Sequence, residues 1–175
     1  MSYQDFLASL REPALVAVAE YWNTLRSGRP LPSWQGIDPA AIRQHLPIVW
    51  AWRWEAALGT FVGRLSGEDI IAVHGTGVRG KRIDQVFSSA ASEIILARYK
   101  RVIDGPALMH GYGKVFVLSG GHGQGERIAL PLAADGRRAD GVFGATVYRL
   151  ADRPIGPGEA SLNIAEEVVD FFDLA

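Results

Sequence analysis

Residues 48–65 read IVWAWRWEAALGTFVGRL. Trp50, Trp52 and Trp54 fall on alternate positions, and that alternation with aromatic content predicts a strand with one aromatic face. Leu58-Gly59 supplies a turn, and TFVGRL at 60–65 makes a second strand, so the stretch predicts a hairpin.

Upstream, the pattern is helical. Ser2 with Asp5 three residues on has the form of a capping box, and Phe6, Leu10, Ala14, Val18, Tyr21 and Leu25 recur near helical spacing. Pro13 either kinks one helix or occupies the first turn of a second. Ser27 to Pro30 stops the pattern, and Leu31 to Gly36 reads as a loop. Asp38-Pro39 predicts a helix start, with AAIRQHL at 40–46 as the short helix it opens.

Downstream, Glu68 to His74 is a short helical stretch closed by Gly75, and KRIDQVF at 81–87 is another amphipathic piece. Ser88 or Ser89 caps a clearer helix, ASEIILARYKRVI at 91–103, with Ile95, Tyr99 and Val102 as its apolar stripe. Three strand candidates follow: 107–118, 127–133 and 141–150. Two glycines in the first could bend it, and Pro131 pushes the second toward a sheet edge or bulge. LNIAEEVVDFFDLA at 162–175 is read as a short amphipathic helix.

The order is helix, two strands, helical pieces, three strands. This is not the βαβ alternation of a doubly wound sheet. It predicts an α+β domain: a five-stranded, mostly antiparallel sheet cupped by a helical insert and an N-terminal helix. The expected division is 1–28 for the N-terminal helical segment, 29–152 for the domain proper and 153–175 for a C-terminal tail.

Three runs carry a family resemblance. They are YWNTLRSGRPLPSWQGIDPAAIRQHLPIVW at 21–50, FVGRLSGEDIIAVHGTGVRGKRIDQVF at 61–87, and ERIALPLAADG at 126–136. In this order and spacing they resemble a bacterial PAS-like sensory domain family, over most of Tyr21 to Arg149. The resemblance implies a curved sheet and helices enclosing a small-molecule pocket. It also implies ligand sensing or partner contact, and homodimers formed through an N-terminal helix. It supplies no ligand and no catalytic residues. Two departures stand out: Gly67-Glu68 where the family has glycine-threonine, and the glycine-rich run from Gly111 to Gly125.

Composition fits one domain: 175 residues, of which 48% are hydrophobic, can bury a substantial core. A formal net charge of −1 gives no electrostatic case for nucleic acid. The absence of cysteine removes disulfides, thiolate metal sites and cysteine nucleophiles. The N-terminus lacks a signal pattern, and no apolar run approaches the roughly 20 residues of a membrane helix. The expectation is a cytoplasmic protein with no membrane or nucleic-acid partner.

Candidate chemistry is sparse. GTGVRG at 75–80 matches the dinucleotide fingerprint, but no strand precedes it and only a short helical piece follows. SGGHGQGE at 119–126 could cradle an anion, yet it lacks the lysine and hydroxyl of a phosphate loop and reads better as a hairpin turn. His45, His74, His110 and His122 have no metal-ligand spacing. The sequence names no cofactor: His74 or His110 could ligate haem, but a lone histidine is more often a packed residue, and nothing marks a flavin site. Ser119 has no nucleophile-elbow frame. The expectation is therefore not an enzyme.

The tryptophan stripe is an aromatic wall for a ligand or, more often, core packed against the N-terminal helix. Arg64 lies mid-strand and must reach an acid, an edge or a ligand anion. The pocket residues expected are Trp52, Arg64, Tyr99 and His110. The function expected is a stand-alone sensory domain binding a small molecule and signalling through a separate protein. The alternative is a ligand-free interaction or dimerisation module using Tyr3 to Leu25.

Overall fold

The computed structural model describes residues 2–118, 121–149, 160–162 and 166–174, with side chains described outside 115–118, 121–122 and 160–162. The chain opens with two helices. Helix α1 (Tyr3–Ser9) carries the expected capping box, with Asp5 N–H donating to Ser2 Oγ and Ser2 N–H donating to Asp5. Pro13 does not kink a helix; it sits in the first turn of a second one, α2 (Pro13–Leu25).

The expected hairpin follows as β1 (Val49–Glu55) and β2 (Thr60–Ser66). The insert comprises α3 (Glu68–His74), closed by Gly75 in the left-handed conformation, and α4 (Ser89–Asp104), whose cap is Ser88. Strands β3 (Ala107–Leu118), β4 (Gly121–Leu132) and β5 (Gly141–Arg149) complete the main sheet. Two more strands follow, β6 (Ala160–Leu162) and β7 (Glu167–Asp173). The antiparallel sheet runs β2-β1-β5-β4-β3-β6, and β7 also pairs with β3.

Several expectations need correction. Among the described residues the sheet has seven strands, not five. The additions come from the C-terminal segment, where a short helix was expected. There Glu167 to Asp173 is rich in β-branched and aromatic residues, and β3 offers an edge for it to pair with. Residues 39–45 form turns rather than a helix: Asp38 Oδ1 accepts from Ala40 N–H at 2.9 Å, a local turn that competes with a seven-residue helix. Strand β4 lies inside the sheet. Its pairing with β3 ends at Met109–Ala129, so Pro131 has one strand neighbour, β5, and is locally at an edge.

The register sorts the core into two layers. On one face, Phe6, Leu15, Val18, Ala19 and Trp22 of α1 and α2 pack on the sheet, and all are fully buried. Phe6 meets Phe172 of β7 edge-on, and Trp22 Nε1 donates to the Pro131 carbonyl at 2.9 Å. Burying side chains of this size stabilises by roughly 1.5–3 kcal/mol each. The opposite face carries Trp50, Trp52 and Trp54, and α3 and α4 cover it. The tryptophan stripe therefore packs against the helical insert, not against the N-terminal helices: Trp50 stacks on Tyr99 of α4, and Trp52 contacts Phe87.

Candidate functional site

Between the sheet and the insert lies a small cavity of about 20 Å³, lined by Trp50, Trp52, Ile70, His74, Val78, Phe87, Tyr99, Arg127, Thr146 and Tyr148. Each strand delivers its residues by alternation. β1 gives Trp50 and Trp52, β4 gives Arg127, and β5 gives Thr146 and Tyr148. Trp50 lies flat over Gly144 of β5, where a Cβ would overlap its ring, so glycine makes the wall possible. Trp50 Nε1 donates to Thr146 Oγ1 at 2.9 Å. The Tyr148 hydroxyl is 3.2 Å from His74 Nε2.

Among the described residues Arg127 is the one charged side chain lining this cavity, and only 7% of it is exposed. Its Nε lies 2.6 Å from Oε1 of Glu167, whose side chain is fully buried. Arg98 of α4 reaches the other carboxylate oxygen of Glu167. Glu167 reaches across β3 over Gly111, where a Cβ would overlap its carboxylate. The glycine-rich character of β3 is thus spent partly on admitting this ion pair. Burial opposes the charge on Arg127, and the Glu167 carboxylate, with Tyr148 and Tyr99, together more than offsets it. Arg127 Nη2 is buried and meets no hydrogen-bond acceptor.

The electrostatics of the remaining groups follow from burial. Desolvation, with Arg127 adding to it, lowers His74 to about 4, so the ring is neutral at neutral pH. Burial pushes the hydroxyls of Tyr99 and Tyr148 up, so both stay protonated donors. The cavity therefore offers hydroxyls, a neutral imidazole and one guanidinium edge, set in aromatic walls.

Of the four residues expected at a pocket, the structure brings two together here, Trp52 and Tyr99. Arg64 lies on the hairpin surface and pairs with Glu55 at 2.8 Å, the structural ion pair that the sequence also allowed. His110 lies on the opposite sheet face. Its Nε2 is 2.8 Å from Glu126, and the same carboxylate accepts the backbone N–H groups of Arg11 and Glu12 at 2.8 and 2.9 Å. Sequence reasoning missed Arg127, Thr146, Tyr148 and Glu167 as site residues. A usable signal existed for Arg127: Ile128, Leu130 and Leu132 claim one face of β4, which sends Arg127 inward with Ala129 and Pro131 on the other.

The GTGVRG segment is structural. Gly75 closes α3, and Gly80 N–H donates to the Gly63 carbonyl at 2.9 Å, docking the loop on β2. Of SGGHGQGE, residues 119–120 lie outside the described residues, and Gly121 onward belongs to β4. Neither histidine considered for haem faces a space of porphyrin size: His110 is held by Glu126, and His74 faces about 20 Å³. A larger groove of about 730 Å³ runs past Arg53, Trp54, Lys100, Asp104 and Arg137, but it is open to solvent and lined by mixed charges.

The antiparallel sheet in the order 2-1-5-4-3 carries a helical insert that packs polar and aromatic side chains against one face, the α+β architecture of a PAS domain, a family whose members suggest a sensory or interaction module. The chain belongs to the PAS domain family, whose sequence profile matches residues 10–147. No curated protein and no solved structure matches the chain. Strand β7 and its Glu167 lie beyond the matched residues. No helix among the described residues is long and apolar enough to cross a membrane.

Proposed function

We propose that this domain is a small-molecule sensor whose ligand enters between the sheet and α3–α4. The observation that carries this reading is the convergence of Trp50, Trp52, Tyr99, Arg127 and Tyr148 on one small space. A few placed polar groups in aromatic walls are the usual make-up of a ligand site. The mechanism is a shift of population: a ligand that prefers the insert slightly lifted from the sheet stabilises that arrangement and changes the outer surface of the insert. No residue is assigned a catalytic role.

The present volume favours one competing reading. A space of about 20 Å³ holds about one water. A ligand-free interaction module would be this tightly packed at all times. Thermal-shift and tryptophan-fluorescence screening of the full chain against a metabolite library separates the two. The sensor reading expects a saturable binder that perturbs the emission of Trp50 and Trp52. A library that yields no binder, with a thermal midpoint unchanged throughout, overturns it.

A further inference from the structure

We propose that the cavity is a site for a small monocarboxylate, whose head takes the free Nη2 of Arg127 and whose apolar tail lies against Trp50 and Trp52. This rests on the sensor reading above and names its ligand class.

Three observations carry it. First, Arg127 Nη2 is buried without an acceptor, and the residue lines the cavity. A buried donor left unpaired destabilises the fold, so an acceptor arriving there is rewarded. Second, the donor is a permanent cation, and a carboxylate on a guanidinium forms a charge-assisted bond roughly twice as strong as a neutral one. Oε1 of Glu167 lies 2.6 Å from Nε as an ion pair, but neither atom completes a hydrogen bond, so Nε and Nη2 both leave donor capacity unused. Third, the rest of the lining is aromatic or aliphatic, or already engaged: Thr146 accepts from Trp50, and Tyr148 faces His74. A ligand with a second charged end would find no partner for it.

Size sets the rest. The space of about 20 Å³ holds about one water, so both the carboxylate head and the tail need a wall to move. The wall that yields is α3. It has seven residues and buries only Ile70 and Val73, whereas α4 has sixteen and buries six side chains. The ligand is therefore short: an aliphatic acid of a few carbons or a single-ring aromatic acid.

The test titrates the full chain with sodium acetate, propionate and benzoate at fixed ionic strength, and with propionamide and benzamide as uncharged counterparts. Tryptophan emission and ligand-observed NMR report binding. At least one acid should bind saturably, with its amide weaker by about tenfold or more. Arg127→Met should abolish the preference for the acid. Glu167→Gln should tighten acid binding, because the competing carboxylate is gone while the hydrogen-bonding shape remains. If Arg127→Met does not fold, the Glu167→Gln comparison decides alone. Amides that bind as well as acids, or acid binding unmoved or weakened by Glu167→Gln, overturn the proposal. So does failure of every acid with both the native chain and Glu167→Gln. If neutral metabolites bind the cleft while the acids do not, this inference falls and the sensor reading stands.

Discussion

Gly111 of β3 and Glu167 of β7 compete for one volume: a Cβ on Gly111 would overlap the Glu167 carboxylate and press on Arg127. In a strand, alanine is normally preferred to glycine by roughly 0.5–1 kcal/mol. Here the sign should reverse. Gly111→Ala should displace Glu167 from a buried arginine and lose about 2–4 kcal/mol, read from urea denaturation midpoints. Adding Glu167→Ala should cost little more, because the contact is already broken. A Gly111→Ala chain as stable as the native one contradicts the overlap.

The N-terminal helices are core, not an appendage. Trp22 is fully buried and donates to Pro131, so Trp22→Ala should lose about 3–5 kcal/mol. Removing residues 1–27 strips Phe6, Leu15, Val18, Ala19 and Trp22 from one sheet face. That truncated chain should show no cooperative thermal transition by circular dichroism.

Glu126 caps α2 from a distance. Glu12, at the cap position, makes no side-chain capping bond of its own, and the β4 carboxylate accepts the N–H groups of Arg11 and Glu12 instead. Glu126→Ala should cost about 2–4 kcal/mol, since two backbone donors and His110 lose their acceptor together. Glu126→Gln keeps one acceptor oxygen and should cost less. Amide exchange in the first turn of α2 should speed up in both, more in the alanine variant.

His74 gives the fold an acid sensitivity. Its folded value is lowered from 6.5 to about 4, by burial first and by Arg127 second. Above about 6.5 the ring is neutral in folded and unfolded chains alike and contributes nothing to the pH dependence. As pH falls from about 6.5 toward 4, the unfolded chain takes up a proton that the folded one refuses, so stability declines. The decline from this group is on the order of 2–3 kcal/mol by pH 4. Denaturation midpoints of His74→Gln should show a shallower loss across that window than the native chain. Parallel curves would mean His74 is not the group responsible.

The hairpin at 48–65, the capped helices at both ends of the insert and the succession of the first five strands along the chain were legible because local signals agreed with the final packing. Pro13 left two readings open, and only the tertiary fit chose between them. Strand β7 was not legible: seven residues mixing acids with Val and Phe fit either period, and what decides is the free edge of β3. The site was half legible. Trp52 and Tyr99 declare themselves by size and stripe. His110 and Arg64 were placed by residue type, without knowledge of which face each would take. Arg127 and Glu167 are forty residues apart in sequence, and nothing local to either says that the other will be above it.

The way the sheet ends has its own consequence. On one side, β6 and β7 occupy successive stretches of the outer margin of β3. On the other, residues 79–82 bridge to Val62 and Gly63 in the middle of β2. The β2 border is therefore partly covered by the chain's own loop, one of the ways natural sheets blunt an edge. Among the described residues β7 has β3 as its one strand partner, so the sheet's outward edge there is the edge of β7. Whatever peels β7 from β3 also withdraws Glu167 from Arg127, so fraying of that margin and loss of the buried ion pair are one event.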